Sequence, residues 1–137
     1  MVARPATLDE VAIRTAGGEP FDPLLREFLD AFYVGEPDSM ARAIADAPAR
    51  LDPLKDAYLA AVAEHLALRF KLAVPPWVDE PYRFLVKPFF AGGLENLKAI
   101  LLVESPLAFR RRQIFVSANA LSRPRERART TKAAPSN

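Results

Sequence analysis

Residues 52–71, DPLKDAYLAAVAEHLALRFK, are the longest stretch with helical apolar spacing in this chain of 137 residues. Asp52 followed by Pro53 signals a helix start, because an Asp side chain accepts free backbone N–H groups of the first turn and Pro already has a helical φ. Apolar side chains then recur every three or four residues as far as Phe70, and the alanines between them allow close approach by a neighbour. The stretch therefore predicts a long central helix.

Further start signals on both sides of this helix predict a bundle. They are the capping box Thr7–Glu10, the pair Asp22-Pro23 with Asp22 as N-cap, Pro37-Asp38, and Ser105-Pro106. Residues 94–103 have helical apolar spacing as well. We predict a mainly all-α fold, a compact bundle of about five to six helices with extended straps around Trp77 and over Gln113–Ser117.

The order of these signals suggests three regions. Residues 1–20 are predicted to be an N-terminal arm with a short helix, and residues 21–122 a single helical domain. Residues 123–137 contain Arg, Thr, Ala, Pro and Ser without apolar periodicity, and are predicted to be a disordered basic tail.

The charge is unevenly distributed between these regions. Of 19 basic and 17 acidic residues, five basic residues and one acidic residue lie from residue 123 onward. The rest of the chain is therefore slightly acidic, which disfavours a nucleic-acid-binding face on the domain. The chain has no cysteine, no signal-like start and no apolar run of about 20 residues, so we expect a cytoplasmic protein without membrane contact.

No spacing typical of a catalytic or metal site stands out. His65 is the only histidine, and its position on the apolar stripe of the central helix favours a structural role over that of a base or ligand. Gly92-Gly93 precedes a helix but lacks the other elements of a phosphate loop, so it is interpreted as a hinge. We expect no enzyme activity, no catalytic residues, no metal and no cofactor.

The block from Glu104 to Ala118, ESPLAFRRRQIFVSA, contains the strongest local charge signal. Three successive arginines on a helix fan around most of its circumference, so at least one is expected to pair internally, with Glu104 as the candidate acid. Adjacent Ile114 and Phe115 in an extended run must point to opposite sides. Arginine beside aromatic residues is typical of protein interfaces. The predicted partner-binding residues are Phe89, Phe90, Arg110, Arg111, Arg112, Ile114 and Phe115.

Together, Pro75-Pro76-Trp77, Pro81 with Phe84-Leu85, Pro88-Phe89-Phe90 and the block 104–118 resemble a bacterial family with the pattern P-x-W … P-x-x-F-L … P-[WF]-F … ESP-x-x-F-R-R-R-x-[IL]-F-V. Its members stand alone, encoded beside nucleotidyltransferase toxins of the AbiEii class, or are fused behind an XRE-type helix-turn-helix domain. The resemblance covers Asp22 to about Arg123. It implies an antitoxin-like or regulatory module and assigns no catalytic residue.

The leading expectation is a non-catalytic protein-interaction module, the antitoxin or regulatory partner of a bacterial toxin encoded beside it. Its expected partner is a protein, such as a nucleotidyltransferase-type toxin. The alternative is a nucleic-acid-associated transcriptional regulator that uses the basic C-terminal segment, for which weak non-specific nucleic-acid contact is expected.

Overall fold

Helix α4, Pro53–Phe70, is the centre of the computed structural model, which describes residues 3–91 and 98–124. Asp52 caps this helix, since its Oδ1 accepts the backbone N–H of Lys55 at 2.9 Å. The helix ends at Lys71, whose left-handed φ of 58° stops the α-helical path. Buried residues occur on most of its circumference, which is more than the apolar stripe predicted from the sequence.

The chain before α4 forms three helices: α1, Leu8–Ala16; α2, Phe21–Tyr33; and α3, Pro37–Ala45. Half of the predicted capping box forms: the N–H of Glu10 donates to Thr7 Oγ1 at 3.0 Å, but the carboxylate of Glu10 accepts the N–H of Ala6, also at 3.0 Å, instead of that of Thr7. The prediction of Asp22 as N-cap is wrong. The carbonyl of Pro20 accepts the N–H of Leu24 at 3.3 Å, so α2 starts at Phe21 and Asp22 lies in its first turn.

The amino-terminal helix belongs to the same hydrophobic core as the rest of the chain. Leu8, Val11 and Ala12 on α1 are buried in the cluster that also contains α2 and α4. The arm predicted for residues 1–20 therefore contributes to the domain core. At the other end, Arg123 pairs with Asp30 on α2 at 2.9 Å, so the described chain remains attached as far as this residue. Of the tail predicted to be disordered, residues 123–137, all but the first two residues lie outside the described residues.

The second half of the chain is built from short elements. They are two 3₁₀ turns, Pro76–Asp79 and Pro81–Arg83; strand β1, Phe89–Phe90; helix α5, Lys98–Glu104; helix α6, Leu107–Arg110; and strand β2, Ile114–Phe115. The two strands pair in parallel, Phe89 with Ile114 and Phe90 with Phe115. The predicted hinge at Gly92-Gly93 lies outside the described residues. The observed architecture confirms the predicted small, mainly helical bundle, but Trp77 lies in the 3₁₀ turn Pro76–Asp79 and not in an extended strap.

Ser105 connects two of these elements and does not cap α6. Its hydroxyl bonds to the carbonyl of Leu101 on α5 and also accepts the N–H of Val116 at 2.8 Å. The N-cap of α6 is Pro106, which has no hydroxyl to offer. The side chain predicted as a helix cap therefore joins α5 to the segment after β2. None of the helices in the described ranges is long and apolar enough to cross a membrane.

We expect Trp77→Ala to lower the free energy of unfolding by about 3–5 kcal/mol, since the indole is buried and a cavity would remain. The substitution also removes the bond from Trp77 Nε1 to the carbonyl of Ile44, 3.0 Å long. Chemical denaturation measures the loss. Val74→Ala, at a nearby exposed position, is the control and should leave stability nearly unchanged. Equal effects of the two substitutions would contradict the packing described.

Candidate partner-binding surface

The three consecutive arginines of the C-terminal block lie in three different environments. Arg110 ends α6 and is exposed, Arg111 is partly exposed, and Arg112 is completely buried. The backbone continues from α6 into a turn at Arg111 and Arg112, so successive side chains leave the chain in different directions. Only part of the triple arginine can therefore face a partner in this structure.

Arg112 joins three segments of the chain. Its Nη1 donates to Glu64 Oε1 on α4 at 2.6 Å and to the carbonyl of Ala108 at 2.7 Å. Its Nη2 donates to the carbonyl of Val78 at 2.7 Å, and the guanidinium lies over the ring of Phe84. Burial lowers the pKa of Arg112, and the carboxylate of Glu64 acts in the opposite direction. This residue fixes α6 and the 3₁₀ turns to α4.

Arg111 reinforces the same connection from the surface. Its Nε lies 3.2 Å from Glu64 Oε1 and its Nη2 lies 2.7 Å from Asp79 Oδ1. The internal acid is thus Glu64 on the central helix. The expected partner, Glu104, instead accepts the backbone N–H of Ala118 at 3.1 Å. Glu104 is the last residue of α5, so this hydrogen bond connects the end of α5 to the segment that follows β2.

A second buried arginine, which the sequence analysis did not single out, fixes the 3₁₀ turns at another point. Arg83 donates to the carbonyl of Asp56 at 3.1 Å and to that of Pro48 at 3.0 Å. Its guanidinium lies 4.6 Å from the ring centroid of Trp77 and pairs with Glu80 at 3.1 Å. The one available signal was local, an arginine within a run of aromatic residues, prolines and acids.

The predicted aromatic and aliphatic contact residues divide between core and surface. Ile114 is completely buried in the main hydrophobic cluster, whereas Phe115 lies outside that cluster and stacks on Phe90 with ring centroids 5.0 Å apart. The two side chains of β2 therefore find different partners, as expected for adjacent residues in a strand. Phe89 is exposed.

The assignment of all seven residues to one partner surface therefore needs correction. Arg112, Ile114 and Phe115 are buried within the chain, because α4, the core cluster and Phe90 already cover them. Phe90 is half-buried beside Phe115, and Arg111 is held by two carboxylates. Arg110 and Phe89 are the two predicted residues that stand exposed without such packing.

The sequence analysis did not identify a group of exposed apolar side chains on α5 and α6. Its four residues, called the α5–α6 face here, are Ile100, Leu102, Val103 and Leu107, with 54, 46, 79 and 58% of their surface exposed. On α5, successive residues turn by about 100°, so Val103 lies roughly opposite the buried Leu101, and Ile100 and Leu102 lie about 100° to either side of it. The run of apolar residues 99–103 was a possible signal, because a helix that is apolar all round is normally covered.

Phe89 lies in a separate groove between the amino ends of α2 and α4. A cavity of about 480 Å³ is bordered there by Phe21, Tyr58, Phe89 and Ala91, with Lys55 at its edge. Lys55 is neutralised by Asp52 at 2.8 Å. Burial and the charge of Asp22 raise the pKa of Tyr58 to about 12, so its hydroxyl stays protonated at neutral pH.

His65 has the surroundings of a structural side chain. It is half-buried, and its ring meets that of Phe109 edge to face with centroids 6.2 Å apart. Burial, and secondarily the positive charge of Arg69, lower its pKa from the ordinary 6.5. Within residues 3–91 and 98–124, no group of three or more His, Asp or Glu side chains could hold a metal ion.

No protein-family model matches this chain, and comparisons with curated proteins and with solved structures also found no match.

We expect Arg112→Ala to lower the free energy of unfolding by about 3–5 kcal/mol, because Glu64 would keep only the surface arginine Arg111 as a partner and the buried carbonyls of Ala108 and Val78 would lose their donor. Arg110→Ala is the matched control, two residues away but exposed, and should change stability by no more than about 0.5 kcal/mol. The double variant Arg112→Met/Glu64→Leu should recover part of the loss, since it removes both charges. Urea unfolding compares the variants, and equal stabilities of the two single variants would contradict this environment for Arg112.

The lowered pKa of His65 predicts a pH effect on stability. The unfolded chain takes up a proton near pH 6.5, whereas the folded chain takes it up only at lower pH. The contribution is therefore complete above pH 6.5 and is lost as the pH falls through the folded pKa. His65→Gln should remove this part of the loss. Parallel denaturation of both proteins between about pH 7.5 and 5 isolates it, and identical pH profiles would disprove it.

Proposed function

We propose that this protein is a non-catalytic protein-interaction module, the antitoxin or regulatory partner of a bacterial toxin encoded beside it, acting in the cytoplasm. The α5–α6 face is the observation that supports this proposal. Four aliphatic side chains, each roughly half exposed or more, lie within eight residues of one another in the chain. Grouped apolar surface of this kind is a feature of protein interaction sites.

The composition of the α5–α6 face suits a protein partner. Covering aliphatic surface gains about 25 cal/mol for each Å² removed from water, without any requirement for specific polar partners. Arg110 follows the face in the chain and is exposed, and arginine is among the residue types that contribute most at interfaces. A helix of the partner laid across α5 is the simplest way to cover such a surface.

The class of toxin comes from the resemblance of the sequence to proteins encoded beside nucleotidyltransferase toxins of the AbiEii class. The alternative, a regulator that binds nucleic acid, has less support. Arg111 and Arg112 are both engaged by Glu64, and Arg111 also by Asp79. Of the remaining basic residues of that hypothesis, Arg110 is exposed, Arg123 pairs with Asp30, and those from Arg125 onward lie outside the described residues.

Co-expression with the toxin encoded beside the gene tests the proposal. The two proteins should purify together and elute as one complex in size-exclusion chromatography. Val103→Asp places a charge in the centre of the α5–α6 face and should weaken the complex at least about 30-fold, the effect of losing a central interface contact.

Leu68→Asp is the control for this substitution, because Leu68 is 54% exposed on α4 and is not part of the face. It should leave the complex intact, and circular dichroism should show both variants to be folded. A folded, soluble toxin that elutes separately from the wild-type chain would contradict the proposed function. Equal weakening by both variants would contradict the assigned surface.

A further inference from the structure

Residues 117–123, called the C-terminal segment here, lie against helix α2 without forming a helix or a strand of their own. Their internal hydrogen bonds form two turns: the N–H of Ala120 donates to the carbonyl of Ser117, and that of Ser122 to the carbonyl of Asn119, each at 3.0 Å. Neither turn connects the segment to another part of the molecule. Its position therefore depends on contacts made by individual residues.

An apolar side chain, a hydrogen bond and an ion pair attach the C-terminal segment to the domain. Leu121 is the one buried residue among the seven, and it belongs to the main hydrophobic cluster. The hydroxyl of Tyr33 on α2 donates to the carbonyl of Leu121 at 2.8 Å. Arg123 pairs with Asp30, also on α2, at 2.9 Å. These contacts are few compared with the apolar faces that hold the helices together.

The packing beneath the segment is incomplete. A cavity of about 250 Å³ lies between it and α2, bordered by Leu25 and Leu29 on the helix, Tyr58 on α4 and Leu121 on the segment. Side chains that border a cavity lack part of their dispersion contacts. The segment is therefore held less tightly than the helices that it covers.

We propose that the C-terminal segment opens and closes over α2 while the rest of the domain stays folded, and that salt favours the open state. Local opening requires few buried contacts and an exposed backbone, and the segment has both. It stays attached at its start, where Ser105 Oγ accepts the N–H of Val116 and Glu104 accepts that of Ala118. Opening uncovers Leu25 and Leu29. It involves none of the four residues of the α5–α6 face and does not depend on the proposed function.

The ion pair at the end of the segment makes the opening sensitive to salt. The side chains of Arg123 and Asp30 are 25 and 16% exposed, so dissolved ions reach them and screen their attraction. The hydrogen bond to Asp30 raises the pKa of Arg123, and the charge of Glu27 on the same helix adds to this effect. Both acids attract Arg123 in the closed state. A higher ionic strength therefore shifts the equilibrium toward the open state.

Thiol labelling of the full-length chain measures the opening, because the chain has no cysteine of its own. Leu29→Cys places one thiol beneath the segment, and Val62→Cys places one in the core on α4, where only global unfolding exposes it. With neutral iodoacetamide, and relative to the unfolded chain, Leu29→Cys should react at least about tenfold faster than Val62→Cys. Low concentrations of urea should accelerate Val62→Cys steeply and Leu29→Cys little, since local opening exposes little surface.

Substitutions at the two polar contacts, made in the Leu29→Cys chain, test what holds the segment closed. Arg123→Gln should accelerate labelling about threefold and remove most of its dependence on salt. Tyr33→Phe should accelerate labelling about fivefold and keep the salt dependence. Arg4→Gln is the matched control, because it removes an exposed ion pair with Glu27 of the same helix. It should leave the rate and its salt dependence nearly unchanged.

Equal labelling rates for Leu29→Cys and Val62→Cys, or an equally steep response to urea, would mean that the segment opens only when the whole domain unfolds, and would overturn the inference. A full salt dependence in the Arg123→Gln chain would overturn the role of the ion pair. Circular dichroism checks that each variant is folded. Leu25→Cys, which borders the same cavity, replaces Leu29→Cys if that variant does not fold.

Discussion

The buried contact between Arg112 and Glu64 is the constraint on which the second half of the molecule depends. Glu64 stands on the long central helix, and Arg112 follows α6, 48 residues later. The same guanidinium binds the carbonyl of Val78, so one charged group joins the central helix to the 3₁₀ turns and to the C-terminal block. Short elements that bury little surface on their own acquire their positions from this group and from Arg83.

Buried arginines that bond to several segments explain how a chain with so many short elements keeps one fold. The 3₁₀ turns and the two-residue strands provide few backbone hydrogen bonds. A guanidinium has five N–H donors in a fixed plane, so it can serve several carbonyls at once. Buried without those partners it would be costly, and the arrangement is therefore specific to one packing.

The sequence predicts the helices of the first half well, because their signals are local. Asp52 and Thr7 cap the helices that follow them. The sequence could not show which residue each arginine contacts, because Arg112 and Glu64 meet only when distant segments fold together. The exposed side of α5 was missed for a related reason. An apolar helix indicates that something covers it, but the sequence does not say which side the core covers.

Two contacts join helix α2 to the last described residues of the chain. The hydroxyl of Tyr33 on α2 donates to the carbonyl of Leu121 at 2.8 Å, and Asp30 on the same helix pairs with Arg123. These partners are 88 and 93 residues apart in the chain. Because a ribosome releases a chain from its amino end, α2 exists well before its partners do. These two contacts of α2 therefore form only after residues 121–123 have been synthesised.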